Sequence, residues 1–116
     1  MEIEFGVAEA LRQIRRHRIA DMEAQVGLPL LGLERIDQGV ELREQRRVGQ
    51  RDLGRLHALR SNDWQDHRPT VLVTGGVHGY ETSGVHGALR FAQQHAAEFA
   101  GRANLLVVPC VSPWAY

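Results

Sequence analysis

The chain has 116 residues, 43% hydrophobic and 24% charged, with 14 basic side chains against 14 acidic ones. This is the make-up of one soluble globular domain and excludes collagen-like, disordered and coiled-coil chains. The zero formal charge argues against whole-surface attraction to nucleic acid or to an anionic membrane.

The segment from Phe5 to Val26 sets Val7, Leu11, Ile14, Met22 and Val26 at helical intervals among arginines and glutamates, the pattern of an amphipathic helix. Gly27 and Pro29 stop it. Arg12, Arg15, Arg16, His17 and Arg18 form a basic cluster on this helix, read as a solvated face because Glu9, Asp21 and Glu23 lie close by. The longest nearly apolar run, Val26 to Leu33, is broken by Pro29 and two glycines and falls far short of the roughly 20 residues of a membrane span. No basic, apolar and small-residue order marks a secretory signal. The single cysteine, Cys110, allows no internal disulfide, so a reducing, cytoplasmic compartment fits best.

Beyond the helix, Val40 and Leu42 alternate with polar neighbours, suggesting a short half-exposed strand that ends near Val48 and Gly49. A second alternation from Gly54 to Leu59 puts Leu56 and Ala58 on one side, ahead of a polar turn over residues 61–66. Thr70 to Thr74 is a compact β-branched run closed by Gly75 and Gly76, the form of a strand buried on both faces. Ser83 to Ala100 reads as a helix with Val85, Ala88, Leu89, Ala92, Ala96 and Phe99 on one side and Gly101 beyond its end. Leu105 to Val108 is another apolar strand, ended by Pro109.

These elements predict an α/β fold: a partial mixed sheet with a right-handed βαβ unit and an N-terminal amphipathic helix. The crossover helix would cover one sheet face and the N-terminal helix the other. The expected organisation is an N-terminal helical segment, 1–28, followed by an α/β domain, 29–116. That domain ends soon after its last strand, so a truncated fold is expected, with exposed strand edges that limit solubility.

The stretch with chemical character is Gly75-Gly76-Val77-His78-Gly79-Tyr80-Glu81-Thr82-Ser83-Gly84, between the carboxyl end of a strand and a helix. Ligands of open α/β sheets bind at that edge. The glycines permit unusual backbone angles and close approach of a ligand or a neighbouring chain. His78 and Glu81, three positions apart, can converge on one point, and imidazole nitrogen and carboxylate oxygen are both good zinc ligands. The bland alternatives are that Glu81 favours a first helical turn and that His78 bonds its own loop. His86 lies five residues beyond Glu81, about 140° around the helix, and points elsewhere.

Competing motifs are absent. The glycine turn lacks the spacing of a dinucleotide fingerprint, and neither a nucleophile elbow nor an H-E-x-x-H helix occurs. Cys110, at the end of a strand, reads as an inert apolar residue. Trp64 and Trp114 read as packing groups.

Gly-Gly-Val-His-Gly-Tyr-Glu at 75–81, after an apolar strand and before a glycine-containing helix, resembles the first zinc-ligand motif, His-x-x-Glu, of the carboxypeptidase A-like zinc metallocarboxypeptidases. It also resembles that of the related acyl-amino-acid hydrolases of the succinylglutamate desuccinylase and aspartoacylase type. Residues 109–116 follow the next strand where that superfamily has a Pro-x-x-Asn-Pro-Asp-Gly-Tyr loop; Pro109, Pro113 and Tyr116 fit, whereas Ser112, Trp114 and Ala115 depart. The likeness is to the amino-terminal part of the domain. It implies that His78 and Glu81 are the first two ligands of a Zn2+ ion. It also implies that the third ligand and the general base lie beyond residue 116, and that the substrate is a peptide or an acyl-amino acid. Tyr80 stands where the peptidases often have arginine and the acyl hydrolases asparagine, so subsite chemistry does not transfer. Metal-assisted hydrolysis of a C-terminal peptide bond is the implied reaction, with the 116-residue chain inactive by itself. The alternatives are an acyl-amino-acid amidohydrolase and a non-catalytic fragment that binds a metal or a partner.

Overall fold

The computed structural model describes residues 2–28, 30–36, 56–78, 80–113 and 116. Helix α1 (Glu2–Gly27) leads to strand β1 (Leu33–Arg35), then β2 (Leu59–Ser61), β3 (Thr70–Thr74), helix α2 (Thr82–Gln94), a short 3-10 helix (Ala96–Phe99) and β4 (Asn104–Val108). The strands form one mixed sheet in the order β1-β2-β4-β3. β1 and β2 are antiparallel, as are β2 and β4, whereas β3 and β4 run parallel with Leu72 beside Leu106 and α2 as their crossover. The expected α/β fold with its βαβ unit is therefore present.

Helix α1 is held along its surface by four-residue pairs, Gln13 to Glu9 at 3.0 Å and Gln25 to Asp21 at 2.9 Å. Only its last turns reach the core. Met22 and Val26 are buried, yet Val7, Leu11 and Ile14 are 54%, 61% and 48% exposed. The cause is a mismatch of lengths: a 26-residue helix runs about 39 Å, whereas strands of three to five residues span about 10–17 Å. The helix overhangs its sheet, and the molecule measures 59 Å along its longest axis.

Both helices pack on the same sheet face. Met22 and Val26 join Leu33, Leu59, Leu105 and Val107 in one core with Val85, Ala88, Leu89 and Ala92 of α2, and Gln93 of α2 donates to Gln25 of α1 at 3.2 Å. The expectation that α1 covers the opposite face is corrected: Leu72 on that face is 60% exposed and Leu106 is half-buried. Nor is β3 buried on both faces. Among the described residues it is an edge strand with β4 as its neighbour, and its burial pattern is largely exposed. A continuous apolar run marks a strand but does not say where in a sheet the strand sits.

The hairpin differs in detail from the sequence reading. Its first strand is Leu33–Arg35, in register with Leu59–Ser61; the strand expected around Val40–Gly49 lies outside the described residues. In β2 the inward side chains are Leu59 and Ser61, rather than Leu56 and Ala58. His57 is buried ahead of β2, with Nδ1 3.3 Å from the Arg35 guanidinium and Nε2 3.6 Å from the Glu23 carboxylate, so it ties α1 to the hairpin. Helix α2 stops at Gln94, short of the expected Ala100. The chain tightens into the 3-10 turn and then reverses at Gly101, whose φ of +76° suits glycine.

Buried polar groups close the remaining backbone needs. Ser61 Oγ accepts from the Leu105 N–H at 2.7 Å. Asn104, almost wholly buried, accepts from the Gln65 N–H at 3.0 Å and donates to the Gln65 carbonyl at 2.7 Å, clamping the turn that precedes β3.

Candidate metal centre

Parallel pairing continues past the ends of β3 and β4. The Gly75 N–H donates to Val108 O at 3.0 Å, the Val111 N–H to Gly75 O at 2.9 Å, and the Ser112 N–H to Gly76 O at 3.0 Å. Ser112 Oγ then donates to Val77 O at 2.7 Å. Pro109 and Pro113, which bracket this stretch, are fully buried. Residues 109–113 thus form a rail along which the turn after β3 is laid.

Glycine is required on that turn because the chain's own backbone comes close. A β-carbon on Gly75 would run into the Gly84 carbonyl oxygen and lie 2.7 Å from Pro109 O; one on Gly76, whose φ is +61°, would lie 2.7 Å from Val85 Cγ2 and 2.9 Å from Cys110 Sγ. The close approach anticipated for a ligand or neighbouring chain is made here by the first turn of α2 and by the rail.

His78 and Glu81 follow directly. The Glu81 N–H donates to His78 O at 2.8 Å, closing one turn that holds both residues at the carboxyl end of β3. Both are exposed. Glu81 is the N-cap residue of α2, and its side chain makes no capping hydrogen bond. His78 meets its own loop on one side: Nδ1 lies 3.4 Å from the Tyr80 hydroxyl, and the two rings stand edge to face with centroids 5.7 Å apart. The donor chemistry, one imidazole and one carboxylate on a short turn, suits zinc. Among the described residues no group of three His, Cys, Asp or Glu side chains could hold a metal ion.

His86 has other neighbours than this turn. It lines a cavity of about 780 Å³ with Gln13, Ile14, His17, Arg18, Asp21 and Tyr116. Tyr116 is buried there; burial, and next the Asp21 charge, push its phenol pKa up. Cys110 is also buried, with its thiol pKa raised by burial and partly offset by the Ser112 backbone N–H, as an inert cysteine should be. Arg12, Arg16 and His17 of the basic cluster are exposed, and Arg15 and Arg18 are half-buried. Trp64 is half-buried, and Trp114 lies outside the described residues. Among the described residues no helix is long and apolar enough to cross a membrane.

Two positions that anchor the turns flanking β3 escaped the sequence reading. Ser112 stood out only as a departure from an asparagine, and its partner Val77 is 35 positions away. Asn104, which clamps the start of β3, carries no local signal.

No protein-family model and no curated protein matches the chain. Among solved structures, a protein from Shewanella amazonensis SB2B described as a putative metallopeptidase is similar over 89% of this chain, with a TM-score of 0.55 and 27% identical residues. This chain spans 33% of that protein's length.

Proposed function

We propose that this chain is the part of a zinc metallocarboxypeptidase-like hydrolase that carries the first two metal ligands, His78 and Glu81. The observation that carries this reading is the single hydrogen-bonded turn holding the two donors at the carboxyl end of β3. The partial likeness to the Shewanella protein supports it. When bound, zinc supplies Lewis-acid polarisation of the scissile carbonyl and a water of lowered pKa. The chain's own contribution is to present the imidazole, oriented by Tyr80, and a carboxylate that is not spent on capping α2. Glu81, as a ligand, is not the general base. The bond hydrolysed is a C-terminal peptide bond, and the third ligand and the base come from outside the described residues. Two ligands hold zinc weakly, so the 116-residue chain has little or no activity alone.

Calorimetric titration of the purified chain with zinc, alongside His78→Ala and Glu81→Ala, tests the reading. One-to-one uptake, weak as two ligands allow, that both variants abolish supports it; absence of uptake overturns it and favours a non-catalytic fragment. Peptide hydrolysis by the chain alone, lost with a chelator and in His78→Ala, would overturn the expected inactivity.

A further inference from the structure

We propose that the Tyr80 hydroxyl oxygen is a further ligand of the metal ion held by His78 and Glu81, because the turn sets it at ligand-to-ligand distance from the His78 imidazole. The proposal rests on the reading of His78 and Glu81 as ligands and adds a donor to them.

The separation comes first. Tyr80 Oη lies 3.4 Å from His78 Nδ1. As a hydrogen bond that is long, since oxygen and nitrogen partners ordinarily stand at about 2.7–3.2 Å. As the gap between two ligands it is the expected one. Donors at about 2.0–2.1 Å from a tetrahedral zinc ion stand about 3.3–3.4 Å apart across the tetrahedral angle. One cation could therefore bond both atoms at their present separation.

Two features hold the phenol at that place. The imidazole and phenol rings stand edge to face, with centroids 5.7 Å apart and planes at 61°, an arrangement that aromatic pairs favour. The backbone fixes the same relation, for Tyr80 lies inside the turn that the Glu81 N–H closes on His78 O at 2.8 Å. Imidazole, phenol and carboxylate thus all come from residues 78–81, whatever packs around them.

The chemistry agrees with the spacing. A phenol oxygen carries lone pairs that a cation can take, and its proton then passes to water, as happens when a metal binds a thiol. The Glu81 side chain makes no capping hydrogen bond to α2 and is available to the same ion. A catalytic zinc keeps one position for water or substrate, and that is the position the phenol would take. The ligand from outside the described residues is not replaced; phenol and water compete for the remaining place.

Titration of the 116-residue chain with Zn2+ and, separately, with Cu2+ tests the proposal. Tyr80→Phe keeps the ring and removes the oxygen, and Tyr116→Phe does the same at the other tyrosine. With unchanged circular dichroism, Tyr80→Phe is expected to take up zinc on the order of tenfold more weakly than the wild type, and Tyr116→Phe to match the wild type. A hydroxyl that only oriented the imidazole would weaken binding too, so the copper-loaded spectrum decides. Phenolate bound to copper gives a visible charge-transfer band, expected in the wild type and Tyr116→Phe and absent from Tyr80→Phe. A wild type without that band, a band that survives Tyr80→Phe, or zinc uptake unchanged or tightened in Tyr80→Phe overturns the proposal. If His78→Ala and Glu81→Ala still abolish uptake in that case, the reading of those two residues as ligands stands without Tyr80. Absence of uptake by the wild type overturns both.

Discussion

Ser112 donates a 2.7 Å hydrogen bond to the carbonyl of Val77, the residue immediately before His78. With the Ser112 N–H on Gly76 O at 3.0 Å, one residue from the far side of β4 holds two successive peptides of the turn that presents the candidate metal ligands. The position of His78 is therefore set by a long-range contact as well as by its own neighbours.

Ser112→Ala removes the hydroxyl and leaves the backbone bond. A stability loss of about 1 kcal/mol is expected, visible as a fall of a few degrees in Tm, together with a drop in zinc affinity on the order of tenfold from a less ordered ligand turn. Ser112→Thr keeps the hydroxyl and should restore both. Thermal melts and zinc calorimetry on the three proteins check the effect; an affinity unchanged in Ser112→Ala would show that the bond does not position His78.

Gly76→Ala should destabilise the fold by about 2–3 kcal/mol, because a β-carbon at φ +61° would crowd both Val85 and Cys110. Gly87, on the exposed side of α2 with nothing within 4 Å of the added carbon, is the contrasting case. Gly87→Ala should stabilise by roughly 0.5–1 kcal/mol, the usual helix-interior difference. Urea denaturation of both variants measures the two signs.

Asp63 gives an acid-limb prediction. The Gly101 N–H, 3.0 Å from its Oδ2, and next the Arg68 guanidinium, also at 3.0 Å, hold its carboxyl below the ordinary value of 3.8. A carboxyl with a depressed folded-state pKa binds its proton less readily folded than unfolded. Its stabilising contribution is thus full above the unfolded value and is lost as pH falls through the folded one. Tm followed downward from roughly pH 5 should fall less steeply in Asp63→Asn than in the wild type; parallel curves would count against this linkage.

Asn104→Leu should cost about 1–2 kcal/mol, since it strips partners from both the N–H and the carbonyl of Gln65 in a part-buried setting. Hydrogen exchange would show the loss locally, as faster exchange at Gln65 ahead of the global unfolding of β4.

The legible parts of this protein are those written in neighbouring residues. The β3–α2–β4 unit follows from two apolar runs of five residues and the apolar stripe of a 13-residue helix, each a local property. The His78–Glu81 spacing is likewise local, and the structure shows the two on one turn. Strand β1, only Leu33–Arg35, is too short for alternation to mark it. The apolar spacing of Val7, Leu11 and Ile14 predicted burial that the short sheet cannot provide.

What the sequence determined by itself, then, is element type, the order of strand, helix and strand, and the placing of His78 and Glu81 on one short turn, because these depend on periodicity and spacing along the chain. Tertiary structure alone decided that both helices share one sheet face, that β3 is an edge of the described sheet with Leu72 exposed, and that Ser112 anchors the turn carrying His78. Each of those depends on which distant segments meet, and separation along the chain does not encode the partner across a sheet.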